Sequence, residues 1–196
     1  MLTIEQLQVQ ELTLDLEIKP GETVCLSGPS GSGKSLLLRA IADLIPHRGR
    51  VLLAGRACEE MPAHLWRRQV SLLPAESQWW TDRVGDHFAQ VAAEEFAALG
   101  FGPEVLDWQL ARCSTGERQR LAILRLLSHR PRVLLLDEPT ASLDPASIGR
   151  VEALIDGYRQ KHQAPILWVS HNPGQIARVA DRRLVINGAR LEEQRS

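Results

Sequence analysis

The chain has 196 residues, 44% of them hydrophobic and 24% charged, with a formal net charge of −1. That is enough for one domain with a real core, and the composition is ordinary for a soluble globular protein. So small a charge exerts no long-range attraction on DNA or RNA, so no nucleic-acid partner is expected, and Arg67-Arg68 and Arg182-Arg183 read as solvated faces.

No apolar run approaches the roughly 20 residues that cross a bilayer. The opening MLTIEQLQVQ lacks the basic start and apolar centre of a secretion signal. Cys25, Cys58 and Cys113 are odd in number and widely spaced, without metal-ligand or disulfide pattern, so free thiols in a reducing cytoplasm are expected.

The first segment alternates. Leu2, Ile4, Leu12, Leu14, Leu16 and Ile18 share one face, which predicts half-buried antiparallel strands. Residues 23–27 form a short apolar strand that runs into a glycine-rich loop. Residues 35–44 read as a helix, 51–53 as a strand, and Ala54-Gly55 as a turn. From about residue 75 to 112 the character changes: Trp79-Trp80, an Ala- and Glu-rich stretch at 88–99, then Gly100, Gly102 and Pro103. Helices joined by short loops fit best there, and another helix is expected after Gly116. Residues 133–136 are uninterruptedly apolar and end in Asp137-Glu138, which suits a parallel strand buried on both faces. A helix over 145–159, a second buried strand over 166–169, a short helix over 175–180 and a hairpin turning at Asn187-Gly188 complete the reading.

The expected fold is therefore a mixed α/β core of the phosphate-loop type with an N-terminal antiparallel sheet. A helical subdomain at residues 75–118 is inserted between core segments 1–74 and 119–196.

Residues 28–35 read G-P-S-G-S-G-K-S, which fits G-x-x-x-x-G-K-[ST], and they sit after a strand and before a helix. Gly28, Gly31 and Gly33 let the backbone turn so that successive N–H groups point inward, with Pro29, Ser30 and Ser32 completing the cradle. The helix beginning near Lys34 adds its positive end. Lys34 would bridge the β- and γ-phosphates of ATP, and the Ser35 hydroxyl would ligate Mg²⁺. Asp137 can hold the same ion through water. Glu138, one residue on, can polarise the attacking water as a general base. His171 follows the strand expected beside that of Asp137, where an imidazole could reach the γ-phosphate.

Together these pieces resemble the ATP-binding-cassette family. The most specific is C-S-T-G-E-R-Q-R, from Cys113 to Arg120, which is similar to the family signature. Asp137-Glu138-Pro139-Thr140 resembles the second nucleotide motif, Ser142-Leu143-Asp144 the D-loop, and His171 the switch histidine. The resemblance covers essentially the whole chain. It implies an ATPase that works as a head-to-tail homodimer when ATP is bound. Ser114, Thr115, Gly116 and Asp144 of one copy would then complete the nucleotide site of the other.

Three positions depart from the pattern. Ala75 stands where the family has glutamine, with Glu76 and Gln78 nearby but out of register. Thr115 replaces the first glycine of the signature. No aromatic residue precedes the phosphate loop to stack on adenine; the first in the chain is Trp66.

Three uses of ATP compete: driving a transporter through a separate integral membrane subunit, a soluble role on DNA or the ribosome, and a regulatory module of weak hydrolysis. The transporter reading places the chain on the cytoplasmic face of the inner membrane and makes Trp79 and Trp80 the candidate docking groove. The stretch from Ile166 to His171, with the short tail, is similar to the ATP-binding subunits of bacterial metal (iron) export systems.

Overall fold

Alternating leucine and isoleucine make the first two strands, β1 (Leu2–Val9) and β2 (Leu12–Ile18), each with its apolar face buried. They pair antiparallel, Leu2 opposite Ile18 and Val9 opposite Leu12. The register slips between Ile4 and Leu7, where Gln6 has a φ of 48° and its backbone N–H donates to Asp15 Oδ1 at 2.8 Å. This is a bulge that no alternation pattern announces. The computed structural model describes residues 1–88 and 91–194.

Strand β3 (Thr23–Ser27) leaves this sheet for a second one and is followed by helix α1 (Lys34–Ile41). Strand β4 (Arg48–Leu53) returns to pair with β1, and the left-handed pair Ala54 and Gly55 turns it into β5 (Arg56–Ala57). The first sheet therefore runs β2-β1-β4-β5, all antiparallel. Helix α1 stops at Ile41 rather than 44, because Asp43 takes a left-handed φ of 55°. Strand β4 starts at Arg48, three residues before its apolar stretch, since pairing with β1 and not burial holds that end.

After helix α2 (Ala63–Gln69) comes β6 (Val70–Leu73), the edge of the second sheet. Trp66 of α2 is fully buried, and its Nε1 donates to the Ile41 carbonyl at 3.0 Å, which ties α2 to the end of α1.

The segment between β6 and the next long helix differs from the expected run of helices. Among its described residues it contains one six-residue α-helix, α3 (Ala93–Ala98), and 3₁₀ turns at Val84–His87, Pro103–Asp107 and Leu110–Arg112. Gly100, with a φ of 80°, follows the end of α3, and Pro103 opens the next turn, so the helix does not run on toward residue 103. Arg83 and Gln109 form a β-bridge that pins the ends of this excursion together. Ala89 and Gln90, within the Ala- and Glu-rich stretch, lie outside the described residues, as do residues 195 and 196 of the tail.

Helix α4 (Thr115–Ser128) begins one residue before Gly116, not after it. Then follow β7 (Val133–Asp137), α5 (Pro145–His162), β8 (Ile166–Val169), α6 (Pro173–Val179), β9 (Arg182–Asn187) and β10 (Arg190–Gln194). The second sheet runs β10-β9-β3-β8-β7-β6, parallel except for β10. The closing hairpin turns at Gly188 and Ala189, one residue later than expected, since Asn187 still pairs with Arg190. One buried cluster fills the space between the two sheets around α1. The other lies on the opposite face of the parallel sheet, under α4, α5 and the 3₁₀ turns.

Candidate functional site

The carboxyl ends of β3, β7 and β8 are neighbours in the sheet, and each carries a predicted site segment. Parallel strands that are buried on both faces leave their ends as the accessible place for chemistry. After β3 the chain turns through the glycines of the loop. A side chain on Gly28 would bring its Cβ within 2.8 Å of the Ile186 carbonyl oxygen, so only glycine fits there. Gly33, with φ 89°, is the N-cap of α1 and offers the helix no side-chain oxygen. The first N–H groups of α1 are thus left for an anion.

Lys34 is only 6% exposed, and its ammonium donates to the carbonyls of Gly28 and Pro29, at 3.0 and 2.7 Å. Ser32 Oγ lies 3.4 Å away. Burial pulls the Lys34 ammonium below the ordinary lysine range, and the negative charges of Glu138 and Asp137 oppose that shift. The lysine is therefore held within the electrostatic reach of both carboxylates. Ser35 follows it in the first turn of α1.

Asp137 is the last residue of β7, pairs with Val169 of β8 and is 7% exposed. Glu138 leaves the strand in a left-handed conformation, φ 48°, which is uncommon without glycine. Its N–H donates to the Val169 carbonyl at 3.2 Å. His171 Nε2 stands 3.1 Å from Glu138 Oε1. The structure thus brings Lys34, Asp137, Glu138 and His171 to one end of the sheet.

The remaining predicted residues lie on neighbouring turns. Ser114 caps α4: its Oγ accepts from the Glu117 N–H at 3.2 Å, and Glu117 Oε2 accepts from the Ser114 N–H at 2.8 Å. Thr115 is the first residue of that helix and is not among the residues of positive φ, so a β-branched side chain is tolerated there. A Cβ on Gly116 would lie 3.3 Å from the Ser142 carbonyl oxygen, so the start of α4 abuts the turn before Asp144. Asp144 caps α5 through the Ala146 and Ser147 N–H groups, both at 3.0 Å. Hydrogen bonds from Ser147 and Ala146 hold its carboxyl below the usual range. Glu76 and Gln78 are both exposed, and the Gln78 carbonyl accepts from Arg125 at 2.9 Å.

The two adjacent tryptophans part company. Trp79 packs on the second core cluster, while Trp80 is 69% exposed. The Arg125 guanidinium lies 4.2 Å from one ring centroid and 4.7 Å from the other. His87 meets both rings edge-on.

The donor set suits a hard, oxygen-seeking ion: one serine hydroxyl and one carboxylate. Among the described residues no group of three or more His, Cys, Asp or Glu could enclose a metal by itself.

Residues 12–141 match the model of the ABC transporter family. The chain belongs to that family. It is 36% identical over 195 residues to the Fe(3+) ions import ATP-binding protein FbpC of Streptomyces avermitilis, which covers 92% of this chain and 56% of the relative. It is 38% identical over 185 residues to the aliphatic sulfonates import ATP-binding protein SsuB of Ralstonia nicotianae, covering 91% of this chain and 64% of the relative. The chain therefore spans less than two thirds of the length of either. Among solved structures, a bacterial Atm1-family ABC exporter with ATP bound superposes with a TM-score of 0.84 at 25% identity, covering 100% of this chain and 38% of that one. The ATP-binding subunit of an ABC transporter gives the same TM-score at 22% identity, covering 99% of this chain and 89% of that one, a likeness of fold.

Sequence reasoning did not single out the polar side chains behind this site. Glu152 and Gln175 carry no motif, and only the fold brings them together with Thr140 and Ser170. No helix among the described residues is long and apolar enough to cross a membrane.

Proposed function

We propose that this chain hydrolyses Mg·ATP to drive transport through a separate integral membrane subunit, acting as a head-to-tail homodimer while ATP is bound. The observation that carries the reading is the uncapped start of α1, with buried Lys34 beside it and Asp137, Glu138 and His171 at the same end of the sheet. Backbone N–H groups of the loop, from Gly28 and residues 30–35, and the Lys34 ammonium hold the phosphates. Ser35 and Asp137 are the protein's contributions to Mg²⁺, which neutralises charge on the β- and γ-phosphates.

In the chemical step an attacking water gives its proton to Glu138. Its oxygen forms a bond to the γ-phosphorus while the bond to the β–γ bridging oxygen breaks and ADP leaves. His171 orients Glu138 and reaches toward the γ-phosphate. Ser114, Thr115 and Gly116 of the second copy close over that phosphate with the amides of a helix start, and Asp144 lies at the contact between copies. ATP closes the pair and hydrolysis reopens it.

The membrane subunit docks at Trp79 and Trp80, which places the chain on the cytoplasmic face of the inner membrane. The names of the relatives divide between iron and sulfonate, and an importer and an exporter are both matched. Cargo and direction on this reading belong to the membrane subunit.

The test is phosphate release by the purified chain with Mg·ATP, beside a Lys34→Ala control. Magnesium-dependent release that the control lacks supports the reading. No nucleotide binding in the presence of magnesium overturns it.

A further inference from the structure

Gln175 is 3% exposed on the first turn of α6, and none of the roles above uses it. A buried primary amide is costly unless its donors and acceptor are satisfied. Here they are. Nε2 donates to Thr140 Oγ1 at 2.8 Å and to Glu152 Oε1 at 2.9 Å, while Oε1 accepts from Ser170 Oγ at 2.9 Å. The backbone N–H of Gln175 donates to Asn172 Oδ1, the cap of α6, at 3.1 Å. Glu152, on α5, is fixed in turn by Arg178, whose Nε and Nη2 reach its two oxygens at 3.0 and 2.8 Å. Burial disfavours the charged Glu152 carboxylate, but the hydrogen bonds from Arg178 and Gln175 outweigh it and hold the group ionised.

The two hydroxyls that Gln175 grips have telling positions. Thr140 is two residues after Glu138, and Ser170 immediately precedes His171. Between those turns lies a cavity of about 260 Å³, lined by Glu138, Thr140, Ser170, His171 and Gln175 among others. The Gln175 amide spans the two turns and anchors both to α5.

We infer that Gln175 is a positioning residue for hydrolysis: through Thr140 and Ser170 it sets the placement of Glu138 relative to His171. The inference rests on the hydrolysis proposed above.

The experiment is steady-state Mg·ATP hydrolysis by the purified full chain and its variants, with thermal unfolding recorded alongside. Gln175→Leu keeps the size but removes every side-chain hydrogen bond to Thr140, Ser170 and Glu152. Its kcat is expected to fall roughly 10- to 100-fold, as small displacements of a catalytic group do. Its KM for ATP should stay within about twofold of wild type, since the phosphate loop is untouched. Thr140→Val is expected to lower kcat in the same way and Thr140→Ser to retain it, since only the hydroxyl matters. Adding Thr140→Val to Gln175→Leu should cost nothing further, because the Thr140 hydroxyl acts only through Gln175.

Wild-type kcat in a folded Gln175→Leu overturns the inference, and so does a fall in kcat matched by an equal loss of ATP binding. Should Gln175→Leu fail to fold, Ser170→Ala and Thr140→Val carry the test, and wild-type kcat in both overturns it. A wild-type chain that releases no phosphate sinks the hydrolysis reading itself. An active wild type with an equally active Gln175→Leu sinks only the inference.

Discussion

His171 Nε2 lies 3.1 Å from Glu138 Oε1, and the two residues follow the ends of adjacent parallel strands. An imidazole there can hold the carboxylate in place, and the carboxylate is a base only in its ionised form. Glu138→Gln keeps the shape and removes the base. Its rate of phosphate release is expected to fall at least 100-fold, within the range that general base catalysis supplies. ATP binding should be retained, so the variant should elute as a dimer with Mg·ATP and as a monomer without it. Size-exclusion chromatography coupled to light scattering checks this, and wild-type turnover would remove Glu138 from the role.

Lys34 points its ammonium at the carbonyls of its own loop, Gly28 and Pro29. A triphosphate offers it a full negative charge in their place. Hydrogen bonds to charged groups contribute about 1.5–3 kcal/mol, so Lys34→Ala should weaken ATP binding roughly 10- to 150-fold. Lys34→Arg is expected to do no better, because the longer planar guanidinium does not fit where a compact ammonium is 6% exposed. Titration calorimetry with Mg·ATP measures both. Affinity close to wild type in either variant would place the phosphates elsewhere.

Much of this arrangement was legible in the chain itself, for a local reason. Strand, glycine loop and helix follow one another within residues 23–41, so the phosphate loop needs no long-range information. The alternation in β1 and β2 and the apolar run of β7 likewise carry their own burial pattern. The bulge at Gln6 depends on a distant acceptor, Asp15, and no local pattern shows it. The left-handed Glu138 depends on Val169, which lies on another strand. Between β6 and α4 alanine and glutamate favour helix locally, yet Gly100 and Pro103 and the Arg83–Gln109 bridge decide the backbone, which makes 3₁₀ turns. Gln175 was placed only as part of a short helix, since the partners that give it meaning are up to 35 residues away.

Ser114 and Glu117 cap α4 reciprocally, and the Ser114 backbone N–H is the main reason that the Glu117 carboxyl sits below its usual range. A carboxylate of lowered folded pKa stabilises above its unfolded value, near 4.3. That gain is lost as pH falls through the lower folded value. Glu117→Ala leaves the Ser114 Oγ cap in place and loses only a solvent-screened carboxylate contact, so it should cost less than about 1 kcal/mol at pH 7. The difference from wild type should shrink steadily as pH drops below about 4. Urea unfolding at several pH values reads both. A constant difference down to pH 3 would mean that the charge of Glu117 plays no part.

Trp80 and Trp168 differ sharply in burial, 69% and 1% exposed. The first touches Arg125 and His87, and the second lies in the core beneath the parallel sheet. Trp168→Ala should cost about 3–5 kcal/mol, the usual range for an emptied aromatic site. Trp80→Ala should cost no more than about 1 kcal/mol, the contact with one guanidinium. So large an exposed ring adds little to the folded chain, and a partner that covers it would gain most from it. Phosphate release by the isolated Trp80→Ala chain is therefore expected to match wild type, while transport with the membrane subunit present should fall sharply. Equal transport by wild type and Trp80→Ala would move the docking site away from this ring.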